Sequence, residues 1–423
     1  MNREETNKKN KLYFLIDSDL HTYFFENELK HMLKRYDVTV LSANEITGNI
    51  NIEGLDIKRV DNNFRTISER IKAVLYMVTD VILYKETLDI LKSKGQKIAR
   101  IKDSLAFYIQ SEKYYAGLKR DDLIDKNGEG IIYCYWYNFT PLAIVNHKRF
   151  KNYRTFTRTH GYELYDIRNE FRRQPFKMLM DKHLEKVVFA CEYAKDYYLD
   201  RYNLKDSEKY PVCPLGTLDN RVVRQEEYIS IDKMDKSKTP EYTIVSCSDM
   251  VPLKRVDLVV KGLANIDDIN VRWVHFGSGV EEEKIKHLVK KLLDGKDNIK
   301  VEFRGRVKNK VLHDFYNETP VGLFITTTFS EGGNPVSIME AMSYGIPIIA
   351  TNICNIPKMI DNNGVILSEN PNGDEIAAAI KSVLLATAKE KEQMRLRSRK
   401  IWEEKYNSDV NSERFIENVL MTL

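Results

Sequence analysis

The chain alternates between short apolar runs and longer segments whose apolar residues recur at helical spacing. "KLYFLID" (Lys11–Asp17) predicts a strand, "FENELKHMLKRY" a helix and "DVTVLSA" a second strand. "IIYCYWYNFTPLAIVNH" predicts a strand followed by a helix. "RTFTRTHGYELYD" predicts a strand ending in a loop, and "KVVFACEYAKDYYLDRY" another strand and helix. Strand–helix alternation of this kind is the mark of a parallel α/β unit, and it runs to about Leu218.

The pattern then lapses into a charged stretch with little periodicity, which predicts a connection over 221–240. Alternation restarts with "YTIVSCS", "RVDLVVKGLANI", "INVRWVHFGSG", "EEEKIKHLVKKLL", "IKVEFRGRV", "KVLHDFYNE" and "VGLFITTT". Two successive α/β domains of similar size, 1–220 and 241–399, account for this order. The N-terminal "MNREETNKKN" is polar and predicts a frayed tail before the first strand, without the apolar core of a signal peptide.

Composition sharpens the class. With 423 residues, 43% hydrophobic and 30% charged, the chain can bury two cores. No apolar run is long enough to predict a membrane span. Cys134, Cys191, Cys213, Cys247 and Cys354 are scattered with no Cys-x-x-Cys pair, which points to a reducing cytoplasm rather than a disulfide framework or a zinc site. A net charge of +4 is too weak to imply nucleic acid. "RNEFRRQPFKMLMDKHLEKV" (Arg168–Val187) mixes basic and apolar residues. It suits either contact with an anionic membrane face or an ordinary amphipathic helix over the core.

The densest chemistry lies in "SEGGNPVSIMEAMSYGIPIIAT" (Ser330–Thr351). A buried strand precedes it. Asn334 is placed to cap a helix beginning at Pro335, and Gly345 to end it. Glu331-Gly332-Gly333 therefore sits at the carboxyl edge of a parallel sheet, before a helix N-terminus, where open α/β sheets bind ligands. Free N–H groups there favour phosphate. Two carboxylates beside a phosphate cradle suggest hydroxyl-rich groups on either side, as in a sugar nucleotide. A plain strand–turn–helix with one exposed glutamate is the alternative.

This stretch resembles the signature of the retaining glycosyltransferases of family 4. "VSCSDMVPLKRVDLVVKGL", "WVHFGSGVEEEKI" and "VEFRGRVKNKVLHDFYNETPVGLFI" resemble that family's other segments in order and spacing. "TRTHGYELYD", "VVFACEYAKDYYLDRY" and "PLGT" resemble a subgroup that builds bacterial surface polysaccharides. The resemblance implies the GT-B fold: two facing Rossmann-like domains, with a helix at about 400–423 containing Trp402 and Tyr406 crossing back to the first.

It further implies that Glu340 holds the ribose and Glu331 faces the transferred sugar. Gly332, Gly333 and Asn334 would offer backbone N–H groups, and Lys254 would pair with the pyrophosphate. Gly277 and Gly279 would shape a turn at the cleft, with Arg304 near the base. His160, by the donor sugar and acceptor, would position or polarise; its residue type also suits a general base or a turn-capping histidine. Arg158 and Glu163 could touch the acceptor or form a surface salt bridge. In two places the chain departs from the family: the loop between the glutamates is one residue longer, and Asp249 stands where the family carries an arginine. Arg255 could replace that charge or point elsewhere.

The implied function is transfer of a sugar from a nucleotide diphosphate sugar to a glycan acceptor, lipid-linked, in surface-polysaccharide synthesis. No metal or cofactor is implied, and the implied place is the cytoplasm with room for peripheral contact with the inner membrane face. A protein-modifying glycosyltransferase and a non-catalytic GT-B scaffold are the rivals. Asp17-Ser18-Asp19 is formally an Asp-x-Asp motif, read as the end of the first strand with Asp19 capping a helix. Phe24, Glu26 and Glu28 would enter that helix from an acceptor-side loop.

Overall fold

The structure, a computed structural model, describes residues 9–17, 23–44, 52–222 and 240–423. Most of the N-terminal tail, Ser18, Asp19, the Phe24 side chain and 223–239 of the connection lie outside the described residues. By contact, the chain divides into one unit of Met1–Pro214 with Asp409–Leu423, and another of Leu215–Ser408.

The first unit contains β1 (Asn10–Ile16), α1 (Tyr23–Arg35), β2 (Tyr36–Ser42), β3 (Asp56–Arg59), α2 (Ile67–Thr79), α3 (Val81–Lys92), α4 (Lys97–Arg120), β4 (Gly130–Cys134), α5 (Phe139–Val145), β5 (Tyr153–Thr159), α6 (Lys177–Asp181), β6 (Lys186–Phe189) and α7 (Glu192–Tyr202). The second contains β7 (Glu241–Cys247), α8 (Val256–Ala264), β8 (Asn270–Phe276), α9 (Glu282–Leu293), β9 (Ile299–Phe303), α10 (Asn309–Glu318), β10 (Leu323–Thr326), α11 (Val336–Ser343), β11 (Ile348–Thr351), β12 (Gly364–Leu367), α12 (Gly373–Leu384) and α13 (Ala388–Lys405). The chain closes with α14 (Ser408–Phe415).

Each unit has one sheet of six parallel strands, ordered β3-β2-β1-β4-β5-β6 and β12-β11-β10-β7-β8-β9. Counted within its own unit, each follows the order 3-2-1-4-5-6 of nucleotide-binding folds. The central strands β1, β4, β7 and β10 are buried along almost their whole length, as strands covered by helices on both faces must be. Winding reverses between β1 and β4, and between β7 and β10. Loops leaving the carboxyl ends of such a pair diverge, and a crevice opens between them.

Phe415, Ile416, Val419 and Leu420 pack into the core of the first unit with Leu12, Phe14 and Tyr133. Trp402 and Tyr406 do not make that return. They lie in the core of the second unit beside Ile356 and Met359, and the Trp402 indole donates to Thr217 Oγ1 at 2.8 Å. The chain therefore changes units near 409 rather than 400.

Three further features differ from the sequence reading. Residues 56–120, left without elements, form β3 and the three helices α2 to α4. The segment Arg168–Val187 is mostly turn and loop around the short α6, with Phe176, Lys177, Leu179 and Met180 buried, so its apolar residues serve the core. Helix α11 starts at Val336 with Pro335 as its N-cap, and Asn334 instead accepts from Asn355 Nδ2 at 2.6 Å. Its C-terminus closes as predicted, with Ile346 N–H donating to Ala341 O beyond Gly345.

Trp402→Ala removes a fully buried indole and leaves Thr217 without its donor. Unfolding of the second unit in urea is expected to show a loss of about 3–5 kcal/mol.

Candidate functional site

The reversal between β7 and β10 brings together residues far apart in sequence. The chain leaving β7 makes a tight turn at Pro252–Lys254, and the chain leaving β10 runs through the Glu331 loop. Lys254 Nζ meets Glu331 Oε1 at 2.5 Å. Both side chains are partly screened from water, so this contact is stronger than an exposed ion pair. The two loops are stitched by Phe329 N–H to Leu253 O at 2.8 Å and by Thr327 Oγ1 to Arg255 O at 2.8 Å.

Arg255 is part of that stitching. It sits in the left-handed conformation (φ 48°) ahead of α8. Four of its five N–H donors reach Thr327 O, Thr328 O, Glu369 O and Asn370 Oδ1 at 2.8–3.0 Å. A guanidinium so occupied holds the loop after β10 in shape and, of the two courses open to it, points elsewhere in this structure. A different cation comes to the departed arginine position: Arg306 pairs with Asp249 at 2.7 Å, and both side chains stay exposed.

The turn after β8 lies against the end of β7. Gly277 (φ 138°) accepts no side chain, since a Cβ there would stand 1.9 Å from Ser248 O; one on Gly279 would stand 2.4 Å from Met250 O. His275, which the sequence reading passed over, fixes this approach. Trp273 Nε1 donates to Ser246 Oγ, which bonds His275 Nδ1, while Nε2 faces Ser248 O at 3.2 Å. Burial pushes the His275 pKa down to about 4, so it works as a neutral ring. The only signal in sequence was its position two residues before Gly277. Arg304 lies nearby but turns to Glu302 at 2.8 Å and over the Phe315 ring.

Glu340 projects from α11 and is buried. Asn309, the first residue of α10, donates to its Oε1 at 2.6 Å. His313 stands 3.9 Å away, but burial holds its pKa near 4, so it brings no charge. With so little compensation, burial pushes the Glu340 pKa up to about 7. Such a carboxyl gains most from hydroxyl donors, which stabilise its ionised form. Gly332 and Gly333 lie between the two glutamates, at the approach to α11.

His160 belongs to the first unit, just past β5. Its Nε2 faces Tyr135 O at 2.9 Å, which makes Nε2 the protonated nitrogen, and the ring packs on Tyr135 and Trp136. Burial, aided by Arg158, pushes its pKa down to about 3, so the ring is neutral and Nδ1 carries the lone pair. Its backbone N–H donates to Glu163 Oε1 at 2.6 Å.

Arg158 and Glu163 are both buried and do not form a surface pair. Arg158 is buried, bonded to Glu28 at 2.9 Å and to Cys213 O at 2.6 Å, so Glu28 is likewise withdrawn into the core. Glu163 is raised by burial opposite Lys177, itself lowered by burial. Asp17, at the carboxyl end of β1, bonds Asn138 after β4, at this unit's own reversal point, and burial pushes its pKa up to about 6. Among the described residues no three His, Cys, Asp or Glu side chains are grouped to hold a metal ion.

Two parallel six-stranded sheets of this order define a GT-B glycosyltransferase fold. Residues 230–401 match the family described as "Glycosyl transferases group 1", so the chain carries a domain of that kind. One component of the phosphatidylinositol N-acetylglucosaminyltransferase of Arabidopsis thaliana is 25% identical over 173 residues, which is 40% of this chain and 36% of that protein. The match thus spans little more than a third of that relative. Anabaena HepE, solved in complex with UDP, superposes with a TM-score of 0.65 at 13% identity, over 98% of this chain and 100% of that one. Sucrose-phosphate synthase from Thermosynechococcus elongatus does so with a TM-score of 0.66 at 15% identity, over 96% and 98%. At those identities the likeness is one of fold.

Two substitutions test this geometry. Gly277→Ala is expected to cost at least about 1–3 kcal/mol through its backbone strain, read as a lowered melting temperature. Glu340 binds a proton in the folded state that the unfolded chain has released between its ordinary 4.5 and about 7. Its contribution to stability is therefore full below the lower value and lost as pH rises through the upper. Glu340→Gln is expected to melt progressively higher than the parent protein as pH is raised across that window.

Proposed function

We propose that this protein is a retaining glycosyltransferase of family 4, moving a hexose-type sugar from a nucleotide diphosphate sugar to a glycan acceptor. The acceptor in this reading is lipid-linked and the product a cell-surface polysaccharide. The observation that carries it is the meeting of Lys254 and Glu331 at the β7/β10 reversal, with Glu340 buried in the helix that follows. A cation with a row of loop amides suits the pyrophosphate, and the two carboxylates suit the sugar and the ribose.

In this reading the Lys254–Glu331 contact opens when donor binds. Lys254 turns to the pyrophosphate, and Glu331 accepts from sugar hydroxyls. Glu340 loses its proton and accepts from the ribose hydroxyls. Lys254 and the loop N–H groups stabilise the charge that develops on the leaving diphosphate. The leaving phosphate itself takes the acceptor proton, so no protein base is required. His160, held neutral, is assigned a positioning role. In this reading Arg306 leaves Asp249 to meet the diphosphate in place of the departed arginine. Support for a uridine donor comes from HepE, whose solved complexes include UDP and glucose, and UDP-glucose.

The rival of another class, a non-catalytic scaffold, draws on the same Asp249. Turnover separates them. A panel of nucleotide sugars is expected to include one that raises the melting temperature. With that donor and a glycan acceptor extract, Glu331→Ala is expected to lower the turnover rate by about 10²-fold or more. His160→Ala is expected to lower it as well. Stabilisation without consumption by the parent protein establishes the scaffold instead.

A further inference from the structure

Helix α2 carries Ile67, Ile71, Val74, Leu75 and Val78 on one face, within an arc of about 100°. In a sequence this stripe marks a face meant for a core. Here none of the thirteen residues of α2 is buried, and these five side chains are 53–78% exposed. The opposite face meets the protein: Tyr76 donates to Asn146 O at 2.7 Å and stacks on His147, Glu69 bonds Arg120, and Met77 packs on the core. The apolar stripe is thus held outward by its own helix's anchoring, and Val81, at the start of α3, extends it. An apolar face this continuous on a protein surface marks an interaction site.

The charges around it identify the partner. From Arg65 to Lys102 the sequence holds nine Lys and Arg against four Asp and Glu. Three of the four acids are engaged by the protein: Glu69 by Arg120, Asp80 by Tyr108 and Asn146, and Glu86 by Arg173. Only Asp89 remains exposed. Arg70, Lys72, Lys85, Lys92, Lys94 and Lys97 are exposed and stand in no ion pair among the described residues. Arg70 and Lys72 fall on the two flanks of the stripe by helical geometry.

We propose that α2, with the start of α3, docks this protein on an anionic lipid bilayer. The apolar stripe enters the boundary between headgroups and acyl chains, and the flanking basic side chains meet lipid phosphates. No helix among the described residues is long and apolar enough to cross a membrane, so the contact is peripheral. A bilayer fits better than a protein partner because the surface is a single convex helix face flanked on both sides by exposed cations, Arg70 and Lys72. The inference stands apart from the glycosyl-transfer reading, since lipid binding is read without turnover.

The test is flotation of the full-length protein with vesicles of phosphatidylglycerol, or of phosphatidylcholine alone. The parent protein is expected to float with the anionic vesicles, and less so as salt is raised. Ile71→Glu with Val78→Glu is expected to weaken binding about tenfold or more. Both positions already face water, so the melting temperature should hold. Arg70→Glu with Lys72→Glu is expected to abolish the preference for anionic lipid while leaving the stripe intact.

Absence of flotation by the parent protein overturns the proposal. So does flotation that both double variants retain, which would place the contact elsewhere on the molecule. A parent protein that ignores vesicles but is dimeric by light scattering, and becomes monomeric with Ile71→Glu and Val78→Glu, would mark the stripe as a protein interface and equally overturn it.

Discussion

The candidate site of the second unit is built around one contact, Lys254 with Glu331. These residues are 77 positions apart, and they meet because β7 and β10 are neighbours in the sheet while their connections leave in opposite directions. A lysine and a glutamate left in water would gain little from pairing. What makes the contact useful is the framework that brings both there at no further ordering cost. Gly277 and Gly279 let the β8 turn lie against the β7 backbone. His275 locks that approach, and Arg255 ties the β10 loop down through four donors. Each of these groups is spent on backbone shape, whereas Lys254 and Glu331 bond each other through their side chains alone.

The first unit solves a harder electrostatic problem. It buries Arg158 completely, and such a charge is tolerated only when paired and hydrogen-bonded. Glu28 from α1 and the Cys213 carbonyl supply the partners, and Phe415 from the C-terminal end lies beneath the guanidinium. One buried ion pair thus joins β5, α1, the segment after β6 and the returning chain terminus. Burial does most to keep the His160 imidazole neutral, and the fixed positive charge of Arg158 two residues away adds to it.

Identical patterns serve different ends in this molecule. The stripe on α2 and the stripes on α8 and α12 all read as core faces. Those on α8 and α12 pack against each other and their sheet, whereas that on α2 meets solvent. The mixed segment Arg168–Val187, whose apolar residues suited either a membrane face or the core, buries them in the core. Periodicity reports that a helix has an apolar face; the neighbouring elements decide what covers it.

By itself the sequence determined the two α/β units, most of their strands, and the Glu331–Glu340 stretch with its loop and helix. Those features are local: strand periodicity, glycine placement and helix termination act over a few residues. It left β3 and α2 to α4 unread, although α2 carries an apolar stripe at helical spacing, because the short and mostly exposed β3 gives no strand pattern to anchor that region. Only the tertiary structure decided that Arg255 clamps a loop, that Arg158 pairs with Glu28 rather than Glu163, that Arg306 reaches Asp249, and that Trp402 stays with the second unit. Each of those outcomes is a choice of partner between distant residues. Side-chain charge and size permit several partners, and packing permits one.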